Sequence, residues 1–170
     1  MALVMASPDT KHVPQGSLEL LKTDVAQRLL HSTELARVAY TASDGTPRVY
    51  PTWFQWTGDA FVTATMARSA TGRRAGRLGA LQANPAVAVT IDTREPLEVL
   101  LLRGRVEISE VDGVAPEYAW CARHYWGEEA GGGFIAGLEQ SDIRMARITL
   151  RPSWVGLLDF RTRFPRQMEG

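Results

Sequence analysis

The sequence of 170 residues is short of the parts that many catalytic, metal and membrane functions require. Cys121 is its one cysteine, so no internal disulfide can form and a reducing cytosol suits the chain. His12, His31 and His124 are scattered. Cys121 and His124 stand three apart on an expected helix, but two ligands fall short of a zinc site; a buried thiol and a surface or capping imidazole are expected. Lysine occurs twice against seventeen arginines, a coding bias rather than a functional signal. Nineteen basic and nineteen acidic residues cancel, which removes any general attraction to nucleic acid or acidic membranes. The opening MALVMASPDTKHVPQGS has no apolar run of signal-peptide or membrane-span length, so a cytoplasmic protein without a membrane partner is expected. There is no Gly-x-Ser-x-Gly elbow and no nucleophilic-triad spacing. Gly131-Gly132-Gly133 lacks the lysine and Ser/Thr of a phosphate loop and reads as a flexible connector, with Glu128 and Glu129 solvated beside it.

What is present is the composition of a globular chain, 45% apolar and 22% charged. Residues 1–16 carry Pro, Gly and charge without periodicity and read as a mobile arm; residues 17–170 read as one domain. The stretch 47–92 is the most informative. Pro47 to Trp56 has strand character, Thr57-Gly58-Asp59 signals a turn, and Ala60 to Met66 is the return strand. Residues 68–77 interleave four arginines with small residues. Ala75, Leu78 and Leu81 start a helix that must stop before Pro85, and Ala86 to Ile91 is an apolar strand. A helix start offers unpaired N–H groups, small residues permit close approach, and arginine forks match phosphate, so this loop suits anion binding. On a helix Arg73, Arg74 and Arg77 would share a face, which equally describes a solvated arginine surface.

Around this stretch the periodicity predicts a helix over 18–31 capped by Ser17, and a strand over 37–42 turning at Ser43-Asp44-Gly45. It also predicts a strand over 97–109, apolar on both faces from Val99 to Leu102, and a helix over 114–127. Met145–Leu150 and Ser153–Phe160 form a final strand pair or one bent strand around Pro152. The expectation is a mainly β, α+β fold of about six antiparallel strands with flanking helices.

The order strand, hairpin, strand, Ser/Thr- and Arg-bearing loop, short helix ending Asn84-Pro85, apolar strand resembles the pyridoxamine 5'-phosphate oxidase-like flavoproteins, the FMN-binding split-barrel group. The resemblance covers residues 24–110 well and 145–160 loosely. It implies an antiparallel split β-barrel working as a homodimer with the cofactor at the subunit interface. It also implies FMN, or the deazaflavin coenzyme F-420, as cofactor. Arg77, eight positions before Pro85, matches the basic residue that binds the cofactor phosphate. Arg48, Val49, Pro51 and Thr52 match the strand along the flavin; Ala64 and Thr65 match contacts to the ring or ribityl chain. The family's Ser and Arg just before Arg77 are here Ala75 and Gly76, with Ser69, Arg73 and Arg74 as possible substitutes. Trp154 matches late-strand aromatics near the cofactor, or packs in the core.

The Arg-x-His-x-Arg segment of the namesake oxidase is absent from the end Asp159-Phe-Arg-Thr-Arg-Phe-Pro-Arg-Gln, so vitamin B6 synthesis is not expected. The resemblance leaves three functions: an FMN-dependent oxidoreductase of an unidentified small molecule with a nicotinamide coenzyme as donor, a deazaflavin-dependent reductase, or a non-catalytic flavin or tetrapyrrole binder. A flavin supplies the hydride chemistry itself, so no catalytic acid or base need be visible.

Overall fold

The computed structural model describes residues 13–68, 72 and 75–164. The helix expected over 18–31 divides in two. Ser17 starts a short 3-10 segment, Leu18–Lys22, and Thr23 then takes an extended backbone and caps α1, Asp24–Leu30. The Thr23 hydroxyl accepts the Ala26 N–H at 3.2 Å, which satisfies a first-turn donor and favours a new helix over a continuous one. The break changes which side chains reach the core: Leu20, Ala26, Leu29 and Leu30 are buried, whereas of the face Leu18, Leu21, Val25 and Leu29 that one continuous helix would bury, Leu18 is 47% exposed and Leu21 and Val25 are half-buried. Of the expected arm, residues 1–12 lie outside the described residues, while the Gln15 side chain exchanges two hydrogen bonds with the Leu157 backbone.

Two hairpins follow. β1, Ala36–Thr41, pairs with β2, Pro47–Thr52, around a turn in which Gly45 has φ +80°. β3, Gln55–Trp56, pairs with β4, Phe61–Met66, around Gly58 at φ +102°. The strand expected over 47–56 is thus broken at Trp53 and Phe54. Phe54 turns into the core and stacks on Phe61, whereas Trp53 turns outward. Next come α2, Gly76–Ala83, stopped by Asn84-Pro85, and β5, Ala86–Thr93. β6, Glu98–Asp112, leads to α3, Pro116–Trp126, and α4, Glu128–Glu139; β7, Arg144–Leu150, and β8, Trp154–Leu158, complete the order.

The antiparallel sheet has the order β2-β1-β5-β6-β7-β4-β3, with β8 also on β6. There are eight strands, not about six, because the break at Trp53 adds one and Pro152 divides the last pair. β6 is the hub. One of its edges pairs with β5; the other pairs first with β8 and then with β7, end to end. Gly104 marks the changeover, since a Cβ there would lie 2.8 Å from Leu150 Cδ1 and 3.0 Å from the Arg151 carbonyl oxygen. The alternation in β6 buries Leu100 and Leu102 inward and leaves Val99 and Leu101 half-buried outward. The sheet curls into a split barrel. The end strand β2 and the penultimate strand β4 are joined by the hydroxyls of Thr52 and Thr63 at 2.7 Å rather than by a ladder.

Gly131-Gly132-Gly133 is not a connector: all three glycines lie inside α4. Absence of a side chain is what lets α4 cross α3, since a Cβ at Gly131 would sit 2.3 Å from the Ala122 carbonyl oxygen. Gly133 has open space around the same position. Gly133→Ala should therefore stabilise by up to about 1 kcal/mol through helix propensity. Gly131→Ala should destabilise by about 1–3 kcal/mol through overpacking. Urea unfolding midpoints check this sign reversal; equal gains at both positions would contradict the helix crossing.

Candidate functional site

The split between β2 and β4 gathers five of the eleven residues that the sequence points to: Pro51, Thr52, Ala64, Thr65 and Arg77. Tyr50 and Thr52 face inward from β2, as Thr63 and Thr65 do from β4, because alternate side chains share a face. Arg77, in the first turn of α2, reaches across this gap. Its Nη2 donates to the Thr65 hydroxyl at 3.1 Å, and its guanidinium lies 3.8 Å from the Tyr50 ring centroid. Tyr50 is held in turn edge-on against Tyr40, 5.9 Å away. Burial pushes the Tyr50 phenol above its ordinary range, the Arg77 charge opposing the shift, so it is a neutral surface for the cation.

Among the described residues, two polar atoms in this bridge are buried without a hydrogen-bond partner: Arg77 Nε and Tyr50 Oη. An unmet buried donor costs about 1–3 kcal/mol, so the gap favours an acceptor that can take it. α2 adds to the demand. Its N-cap is Ala75, whose side chain cannot accept a first-turn N–H, and no acidic residue lies in that turn. A guanidinium, an unmet N–H and an uncapped helix start together fit a phosphate.

A cavity of about 290 Å³ opens beside the split, lined by Leu35, Pro51, Thr52, Trp53, Ala64, Tyr118 and Cys121. Pro51 and Ala64 face it from the outward sides of β2 and β4, and α3 supplies its far wall. α3 is fixed to the sheet by Arg147, whose Nε and Nη2 lie 3.0 and 2.9 Å from Glu117 Oε2. Trp53 is set by three rings: Tyr118 at 5.8 Å, Tyr125 at 5.6 Å and Trp126 at 4.6 Å between centroids. Trp53, Tyr118 and Leu35 were not singled out as site residues from the sequence; the outward turn at Trp53 breaks the strand pattern that would have marked it.

Pro51, Thr52 and Ala64 thus meet at the cavity, and Arg77 meets Thr65 at the split. Arg48 and Val49 share β2 with them but are exposed, Arg48 pairing with Asp44 at 3.2 Å. Trp154 is far along the sheet, on β8, with Arg103 stacked 4.0 Å over its ring. It covers Gly156, where a Cβ would come within 2.6 Å of the indole. Ser69, Arg73 and Arg74 lie outside the described residues; Arg77 lies in the first turn of α2, Gly76–Ala83. His124 Nε2 lies 3.1 Å from the Ser32 carbonyl oxygen, and no cluster of three metal-ligating side chains occurs among the described residues.

Cys121 is 2% exposed, and burial, with the nearby Glu117 carboxylate, pushes its thiol up to about 12. At pH 8 about one thiol in ten thousand is then thiolate, the reactive form. Iodoacetamide should label Cys121 only when the chain unfolds, as followed by mass spectrometry across a urea series. Full labelling of the native protein within minutes at pH 8 would contradict this environment.

A sequence profile of the pyridoxamine 5'-phosphate oxidase family matches residues 23–158. Among solved structures, an F-420 reductase is 23% identical over 85% of this chain and 98% of its own, with a TM-score of 0.56. A haem binding protein from Mycobacterium smegmatis is 17% identical over 82% of this chain and 55% of its own, at 0.55. A pyridoxamine 5'-phosphate oxidase-related, FMN binding protein from Nostoc punctiforme PCC 73102 is 15% identical over 76% of each chain, at 0.50. Identities this low speak for the fold alone. No curated protein matches the chain. No helix among the described residues is long and apolar enough to cross a membrane. With its profile match spanning both hairpins, the arginine-bearing helix start and the final strands, the chain belongs to the pyridoxamine 5'-phosphate oxidase family.

Proposed function

We propose that the protein is an oxidoreductase that binds a phosphorylated flavin-type cofactor, FMN, at the split between β2 and β4. The observation that carries this reading is Arg77: a guanidinium held across the split by Thr65 and Tyr50, in the first turn of a helix whose N-cap is Ala75, with its Nε buried and without a partner among the described residues. In this reading Arg77 and the first-turn N–H groups of α2 hold the phosphate, with Ser69, Arg73 and Arg74 as further candidate donors. Thr65 and Ala64 serve the ribityl chain and ring edge, and Arg48, Val49, Pro51 and Thr52 run along the ring. The bound flavin supplies the hydride chemistry; the chain orients it and excludes water. Deazaflavin F-420 also carries phosphate and suits the same donors, and visible absorbance of the loaded protein distinguishes the two.

Arg77→Ala should weaken binding of the phosphorylated cofactor by about 1.5–3 kcal/mol, the range for hydrogen bonds to charged groups. That is roughly ten- to hundredfold in Kd. Riboflavin, which has the ring but no phosphate, should bind weakly and almost unchanged, as calorimetry can measure. Equal losses for both ligands would mean that the variant damages the split itself. No binding of FMN or deazaflavin to the unaltered protein would defeat the reading.

The same proposal includes a homodimer formed on the outward face of β2, β1, β5, β6 and β8. Val49 is 67% exposed there, and Ala39, Ala86, Ala88 and Leu101 continue a surface of small and apolar residues. Trp154 stands on this face, so it could join a cofactor lying along β2 only through a second copy. Light scattering at micromolar concentration should give twice the chain mass, and Val49→Asp should shift it toward the monomer. A monomer mass for the unaltered protein would count against the shared site.

A further inference from the structure

Pro51, Thr52 and Ala64, placed along the cofactor ring above, share one cavity with Trp53, the residue just past the end of β2. Two sets of contacts fix Trp53 there. Its backbone is held from the split. The Thr52 hydroxyl donates to the Trp53 carbonyl oxygen at 3.0 Å, and with its one proton used there it accepts from the Thr63 hydroxyl at 2.7 Å. Its indole is held from α3. Tyr125 stacks on it with the two planes 23° apart, Trp126 meets it edge-on, and Tyr118 lies tilted against it. Tyr125 is anchored in turn, since its hydroxyl donates to the Glu34 carbonyl oxygen at 3.0 Å. Trp53 is half-buried all the same, so these neighbours leave part of the indole open on the cavity side. An indole locked in this way is a flat contact surface that loses little side-chain freedom when a ligand covers it. No charged side chain lines the cavity with it, and Arg77 reaches the split from α2. Ring and phosphate contacts therefore fall to different residues on different elements.

We propose that Trp53 is the side chain on which the cofactor ring rests, and that it reads the ring as Arg77 reads the phosphate. The inference rests on the flavin-type reading above and gives α3 a place in it: Tyr118, Tyr125 and Trp126 act on the ring through Trp53. Trp53 then contributes equally to a phosphorylated and a phosphate-free ring, whereas Arg77 contributes only to the phosphorylated one.

Calorimetry and ¹⁵N spectra of the full chain with FMN and riboflavin test the proposal. Where the deazaflavin is the cofactor that binds, it and its phosphate-free form take their place. Trp53→Leu should weaken both ligands by the same factor, about three- to tenfold, the range for a flat aromatic contact. Trp53→Phe, which keeps a flat ring, should restore most of that loss. Because Trp53→Leu also loosens the three rings around it, the affinities are compared well below its unfolding midpoint. The indole Nε1–H resonance of Trp53, assigned by its absence in Trp53→Phe, should shift with FMN and with riboflavin alike. Those of Trp56, buried in β3, and of Trp120, stacked on His124, should stay in place. Unchanged affinities in Trp53→Leu, a loss confined to FMN, or a Trp53 resonance that stays in place in the ligand-bound protein would each overturn the proposal and leave the flavin-type reading standing. A chain that binds neither FMN nor the deazaflavin would overturn that reading, and this inference with it.

Discussion

Side chains, not a backbone ladder, hold β2 to β4 across the split of the eight-stranded sheet. Thr52 and Thr63 share a hydroxyl hydrogen bond, and Arg77 lies between the Tyr50 ring and the Thr65 hydroxyl. A neutral hydrogen bond contributes about 1 kcal/mol net, and an arginine on an aromatic face about 0.5–2 kcal/mol. The seam is therefore the weakest join in a structure whose other neighbours along the sheet share ladders. Such a join is where a ligand can enter at small conformational cost. It also fixes the site, because Tyr50 and Thr65, which hold Arg77, belong to strands that the barrel cannot shift without losing register.

That register depends on β6. Its fifteen residues serve β5 along one edge and β8 then β7 along the other, so the strand carries both halves of the split barrel. Gly104 allows the changeover, and Pro152 bends the returning chain from β7 into β8. β7 then brings β4 to the gap opposite β2. The geometry at Arg77 is thus set by pairings far from it in sequence.

Much of this was legible in the sequence, and for identifiable reasons. Gly45 and Gly58 sit at the positive-φ turns that the dipeptide signals imply, and Asn84-Pro85 ends α2 where the ring of proline forbids continuation. The family resemblance singles out Arg77 by its place before Pro85, but gives no sign that it ties the split, because Tyr50 and Thr65 become its neighbours only when β2 and β4 close. Thr23 hid a helix break, since a threonine inside an apolar period looks like one more helical residue until its cap is seen. Gly131 misled more strongly. Three glycines read as a connector, but here one of them is the contact that lets two helices touch at backbone distance. The buried thiol expected at Cys121 is found, but nothing in the sequence signalled that Tyr118 and Trp53 would wall a cavity with it, because α3 meets β2 and β4 only in the folded sheet.

The most direct test of the central claim, that Arg77 is at once the tie of the split and the seat of a cofactor phosphate, is the Nε–H resonance of Arg77 in ¹⁵N-labelled protein, assigned by its loss in Arg77→Lys. It should shift when FMN, or the deazaflavin if that is the cofactor bound, is added to saturation, and stay in place with riboflavin. A saturated complex in which the Arg77 Nε–H does not move would contradict the claim.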